Sequence, residues 1–141
     1  MELTGRVRRG AFVLLATPLV LATGWRVARL EVALPFGELI AALRARRASP
    51  LPAWLADPAG LAETVEKLLG VLPPRRCGLC LRRALLLLEL WSRCGLEPKL
   101  HLGFRLQAPD RDGHAWLTAT TARGEPLQVS GPQDYAPAFE L

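Results

Sequence analysis

Histidine and cysteine are scarce: the 141 residues hold two of the first and three of the second. A structural zinc site needs about four ligands. Beyond Cys77 and Cys80, the remaining candidates Cys94, His101 and His114 are scattered over separate elements, so no metal centre is expected. An odd cysteine count also argues against a fully paired extracellular framework, and reduced thiols in a cytoplasmic setting fit better. Glycine-rich phosphate loops and dinucleotide fingerprints are missing, so no cofactor is expected. There is no internal repeat and no low-complexity tract, which excludes a repeat array and confines expected disorder to the ends. Arginines interleaved with aromatics are missing too, so nucleic acid is not the expected partner.

Half of the residues are apolar, enough for one domain with a real core. The net charge of +5 is unevenly placed. Residues 1–50 carry 8 Arg against 3 acids, a balance of +5, whereas residues 51–141 are neutral, with 10 basic and 10 acidic side chains. An anionic surface or acidic partner could use the basic half. Arg6, Arg8 and Arg9 precede the apolar stretch Ala11–Ala22, which is too short to span a bilayer as a helix. The favoured reading is a pair of N-terminal helices packed on the core, broken at Pro18. Export and membrane-surface contact are the alternatives. Trp25 and Trp54 say little by themselves, although an exposed tryptophan could mark a partner surface.

Residues 11–47 read as mostly helical, and Ala48–Pro52 as a connection. Pro58 opens a helix to about Leu72, with Leu61, Val65, Leu68 and Leu69 near one face. The next helix, Cys80 to Arg93, is apolar nearly all round at Ala84–Leu88, which implies a central, buried position. Gly95 is its expected C-terminal cap. Strand alternation follows, with Leu100, Leu102, Phe104 and Leu106 on one face and Lys99, His101, Gly103 and Arg105 on the other. Further strands are expected at His114–Thr120 and Pro126–Ser130, joined by a turn at Arg123-Gly124. The fold class is α+β. A helical N-terminal part, 1–55, would pack on a core spanning 56–141, making one compact domain overall.

Cys80 begins the central helix, where free N–H groups and the positive helix end stabilise a thiolate. His114 opens a strand, from which an imidazole could act as base and then protonate a leaving amine. Backbone N–H groups at the helix start could stabilise an oxyanion. From the residues alone, a buried structural thiol remains the blander reading of Cys80. The Cys77-Gly78-Leu79-Cys80 spacing admits a redox reading, but the strand–helix–strand context for it is missing. Cys77 fits better as a turn residue. His101 reads as a surface or lightly packed histidine, Trp91 as core, and Trp116 as core packing, with packing over the His114 imidazole or a substrate contact as its functional alternatives.

The runs Cys80-Leu81-Arg82-Arg83-Ala84-Leu85, Gly95-Leu96-Glu97-Pro98-Lys99-Leu100-His101-Leu102-Gly103 and His114-Ala115-Trp116-Leu117 resemble the transglutaminase-like B2 leader peptidases of lasso-peptide biosynthesis. The resemblance covers about residues 60–141. It implies a papain/transglutaminase-like cysteine protease core that removes the leader from a ribosomally made precursor peptide. Cys80 matches the nucleophile and His114 the general base. A separate leader-recognition protein and an ATP-dependent lasso cyclase are the implied partners. Tyr135 and Phe139 resemble the family's C-terminal tail. One departure stands out: Val129 occupies the position where the family carries Asp or Glu. Gln128 is the candidate orienting group, with Glu125 and Asp134 as alternatives. This substitution leaves an altered triad, a Cys–His dyad, or reduced catalytic competence with a non-catalytic peptide-binding or scaffold role; a related acyl transferase is a further alternative, because the same Cys–His chemistry can serve it.

Overall fold

The computed structural model describes residues 2–71, 79–104, 113–121, 123–129 and 136–140. Four helices come first: α1 (Glu2–Ala33), α2 (Phe36–Ala45), α3 (Pro58–Leu68) and α4 (Leu79–Arg93), with a 3-10 turn at Arg46–Ala48 after α2. Strands β1 (Lys99–Phe104), β2 (Gly113–Thr120), β3 (Pro126–Val129) and β4 (Ala136–Glu140) form one antiparallel sheet in the order β3-β2-β1-β4. The expected architecture of a helical N-terminal part and a small antiparallel sheet is therefore present.

Pro18 does not break the chain, contrary to the expectation of two N-terminal helices. α1 runs through it as a single 32-residue helix. Pro18 removes the hydrogen bond to the carbonyl four residues earlier. That residue, Leu14, is 76% exposed, so water can serve its carbonyl. Being continuous, α1 is long and apolar enough to cross a membrane by length and composition, and only 28% of its most apolar stretch is buried.

Local chemistry sets the other boundaries. Asp57 caps α3 by accepting from the Gly60 N–H at 3.2 Å, and Pro58 sits at the first helical position. α4 ends where Gly95 takes a φ of +84°: its N–H donates to the Ser92 carbonyl, and the Leu96 N–H reaches the Trp91 carbonyl. This pair of bonds is the glycine-dependent helix stop anticipated at that position. Gly124, with φ +80°, turns the chain from β2 into β3.

The core is built around α4. Leu85, Leu86, Leu87, Leu88 and Leu90 are at most 1% exposed. α1, α2, α3 and the sheet all contribute buried side chains to the same cluster. β2 presents Ala115, Leu117 and Ala119 to it, and β1 presents Leu100. α4 also carries polar anchors. Arg82 Nη1 donates to the Leu69 carbonyl at 3.1 Å, Trp91 Nε1 to the Pro58 carbonyl at 3.0 Å, and Arg93 Nε to the Ser49 carbonyl at 2.7 Å. Arg83 forks onto Glu66, with Nε 2.6 Å and Nη2 3.0 Å from its carboxylate oxygens. Glu89, 1% exposed, pairs with Arg26 of α1, and Arg46 Nε lies 3.7 Å away. The Arg26 guanidinium is held below its ordinary pKa by burial first, then by the charges of Arg46 and Arg93.

Two leucine truncations separate the buried and exposed parts of this fold. Leu87→Ala should lower the unfolding free energy by about 2–5 kcal/mol. Leu14→Ala should change it by less than about 0.5 kcal/mol. Urea denaturation followed by circular dichroism reads both.

Candidate functional site

Directly opposed residues of antiparallel strands share a face, and residues alternate along each strand. The register pairs His101 with Trp116, Gly103 with His114 and Lys99 with Thr118. Gln128 of β3 lies opposite Thr118, and Glu140 of β4 opposite His101. These residues therefore occupy the sheet face opposite the one that Leu100, Ala115, Leu117 and Ala119 turn into the core with α4.

A row of rings dominates that second face. His101 stacks on Trp116 with centroids 5.2 Å apart and planes 13° apart. His114 stacks on the same indole at 6.1 Å and 21°. Trp116 is only 6% exposed yet lies outside the main apolar cluster, as expected for an indole covered by two imidazoles. A 2.7 Å hydrogen bond joins His101 Nε2 and Thr118 Oγ1, and His101 Nδ1 lies 3.9 Å from the Glu140 carboxylate. His101 is half-buried on the strand face expected for it, lightly packed and not at the open surface. Its side chain is 14% exposed, because the register places a tryptophan directly across from it. Glu140 also meets Lys99 Nζ at 3.0 Å, and that cation holds its carboxyl below the usual range.

The sequence-derived candidates lie on different elements. Cys80 is the second residue of α4, half-buried, with a free thiol. His114 is the second residue of β2, half-buried in the ring row. Among the described residues, no catalytic pairing of Cys80 with His114 is evident. Gln128 is exposed on β3, on the same face as His114 and Trp116. Glu125 is exposed in the preceding turn, where its N–H donates to Thr121 Oγ1 at 3.1 Å. Val129 pairs with Leu117 across the ladder. Cys77, Asp134 and Tyr135 lie outside the described residues. Phe139 belongs to β4 and pairs with Leu102, so the tail serves as a strand. Among the described residues, no group of three or more His, Cys, Asp or Glu could hold a metal.

A cavity lies at the end of α4 away from Cys80. About 650 Å³ in volume, it runs beside the edge strand β3 and is lined by Pro126, Leu127, Gln128, Thr118, Lys99 and Cys94, among others. The Arg47–Glu97 pair, 2.8 Å apart, stands at its rim, and Arg47 holds the Glu97 carboxyl below the usual range. Burial first, and the Asp57 charge second, push the Cys94 thiol up to about 11. No single stretch of the sequence announces this groove, because its walls come from the α2–α3 connection, the end of α4 and three strands.

The family model of the transglutaminase-like superfamily matches residues 18–140, most of the chain. The chain belongs to that family. It is the family known as the lasso-peptide biosynthesis B2 proteins. No curated protein and no solved structure matched the chain. Family membership fits the α+β fold, with the B2-like Cys-Leu-x-Arg-Ala-Leu run in α4 and His-Ala-Trp in β2.

The thiols of this B2-family chain give a chemical check on the site. Below a pKa of about 11 the Cys94 thiol stays protonated, and the thiolate is the reactive form. Alkylation of Cys94 by iodoacetamide, mapped by peptide mass spectrometry, should therefore be slow at pH 8 and quicken steadily as the pH approaches 11. Rapid modification at pH 8 would show that the thiol is not buried as described.

Proposed function

We propose that this chain acts in lasso-peptide maturation by holding the precursor peptide in extended form along β3. The groove beside that edge strand carries the reading. Edge strands offer backbone N–H and C=O groups to which an extended peptide adds as another strand. Gln128, Thr118, Thr120 and Lys99 supply polar contacts around the groove, and Leu96 and Leu127 supply apolar ones. A separate leader-recognition protein and an ATP-dependent cyclase are the partners this role implies.

A second, finer reading is thiol leader peptidase. It rests on the motif order, with Cys80 in the first turn of α4 and His114 at the head of β2. The thiolate would attack the carbonyl at the leader–core junction, His114 would protonate the departing amine, and water would release the acyl group from sulfur. Val129 in place of a carboxylate, and the exposure of Gln128, favour the binding reading over this one. In either reading the groove lies about 20 Å along α4 from Cys80. That is about six extended residues, so a cut at Cys80 would fall about that far from the gripped segment.

Incubating the precursor peptide with this protein, with and without the leader-recognition protein, tests both readings. Fluorescence anisotropy reads binding and mass spectrometry reads cleavage. The expected result is binding of the intact peptide, weakened about fivefold for each lost contact in Lys99→Ala and Gln128→Ala. A single cleavage that vanishes in Cys80→Ala would establish the peptidase reading. Neither binding nor cleavage in any mixture would contradict both.

A further inference from the structure

α1 is apolar on two sides, and only one of them is used. Ala16, Val20, Thr23 and Val27 are at most 4% exposed and seat the helix on the core. On the opposite side, Val7, Ala11, Leu14, Pro18, Ala22, Trp25 and Val32 recur at helical spacing, and all are exposed. Val7 is 65%, Leu14 76%, Trp25 58% and Val32 89% exposed, and Leu15 widens the stripe at 58%. Helices packed on a soluble core ordinarily turn a polar face outward. Here an apolar stripe about 38 Å long takes its place. Contiguous exposed apolar surface of this extent marks an interaction site.

Charge identifies the partner. Arg6, Arg8 and Arg9 are all exposed, and Arg6 and Arg8 flank Val7 on either side of the stripe's start. Arg29 lies within the stripe. No acidic residue occurs between Glu2 and Glu31, so the positive excess of the chain is concentrated along this helix. An apolar face with flanking arginines and a tryptophan is the composition of a helix lying in a membrane interface. Long basic side chains reach back to the headgroups while the apolar face enters the acyl boundary. Because Ala16, Val20 and Val27 hold the other side on the core, α1 cannot cross the bilayer while the domain stays folded.

We infer that the exposed stripe of α1 docks this chain flat on an anionic lipid surface. The docking is reversible and salt-sensitive, and it leaves α4 and the sheet on the side facing away from the lipid.

Flotation of the full chain with vesicles tests this. Vesicles of phosphatidylglycerol and phosphatidylcholine should carry the protein upward, pure phosphatidylcholine vesicles far less, and 0.5 M salt should release most of it. The Leu14→Glu/Trp25→Glu double variant should float about tenfold less or worse, with its circular dichroism and thermal midpoint unchanged. An Arg6→Gln/Arg8→Gln/Arg9→Gln variant should lose about fivefold per arginine on anionic vesicles. Three results would each overturn the inference. The protein could fail to float with anionic vesicles. The double variant could float as well as the parent. Or the parent could form a soluble dimer that the double variant dissolves while neither binds vesicles, which would make the stripe a contact between copies.

Discussion

The burial of α4 from Ala84 to Ser92 is the constraint on which the rest of the structure depends. A helix whose middle is an unbroken apolar run must be surrounded there, and helices and the sheet both pack on it. Each fully buried leucine contributes on the order of 1.5–3 kcal/mol. Burial also forces every polar side chain of α4 to find a partner, because an unpaired buried charge is costly. Arg82 and Trp91 take carbonyls at the two ends of α3, Arg83 takes Glu66, Arg93 takes Ser49, and Glu89 draws Arg26 and Arg46 together. The path of the first 70 residues is thus largely a set of answers to polar groups on one helix.

The same constraint shapes the sheet. Because one face must cover α4, the alternating side chains of β1 and β2 deliver the remainder to the other face. His114, Trp116 and His101 meet there by register and stack. The two ends of α4 differ in kind. Its first turn carries the Cys80 thiol, and its last turn opens on the groove beside β3.

Much of this was legible in the sequence. The unbroken apolar run Ala84–Leu88 reads directly as a central helix, Gly95 as its stop, and the alternation of Leu100 and Leu102 against His101 and Gly103 as a two-faced strand. What escaped has physical reasons. Pro18 reads as a helix break because propensity is local, whereas solvent at Leu14 and the burial of Ala16 and Val20 are tertiary. The His101 stack depends on which residue of β2 lies opposite, and a connection between strands does not specify register. Glu89 reads as one acid in an apolar run, since its arginine partners lie tens of residues away in the chain. β4 carries too little alternation across Pro137 to announce itself. An orienting group for His114 is illegible for another reason: Val129 stands where the resemblance leads one to expect a carboxylate, and Gln128, Glu125 and Asp134 nearby offer three alternatives.

Native-state hydrogen exchange measures the standing of α4 most directly. Amides of Leu85–Leu90 should exchange only through global unfolding, with a free energy equal to that from denaturant titration. The outer half of α1, around Val7, should exchange far sooner. Exchange from α4 through a local opening below the global free energy would contradict the account of a helix held on every side.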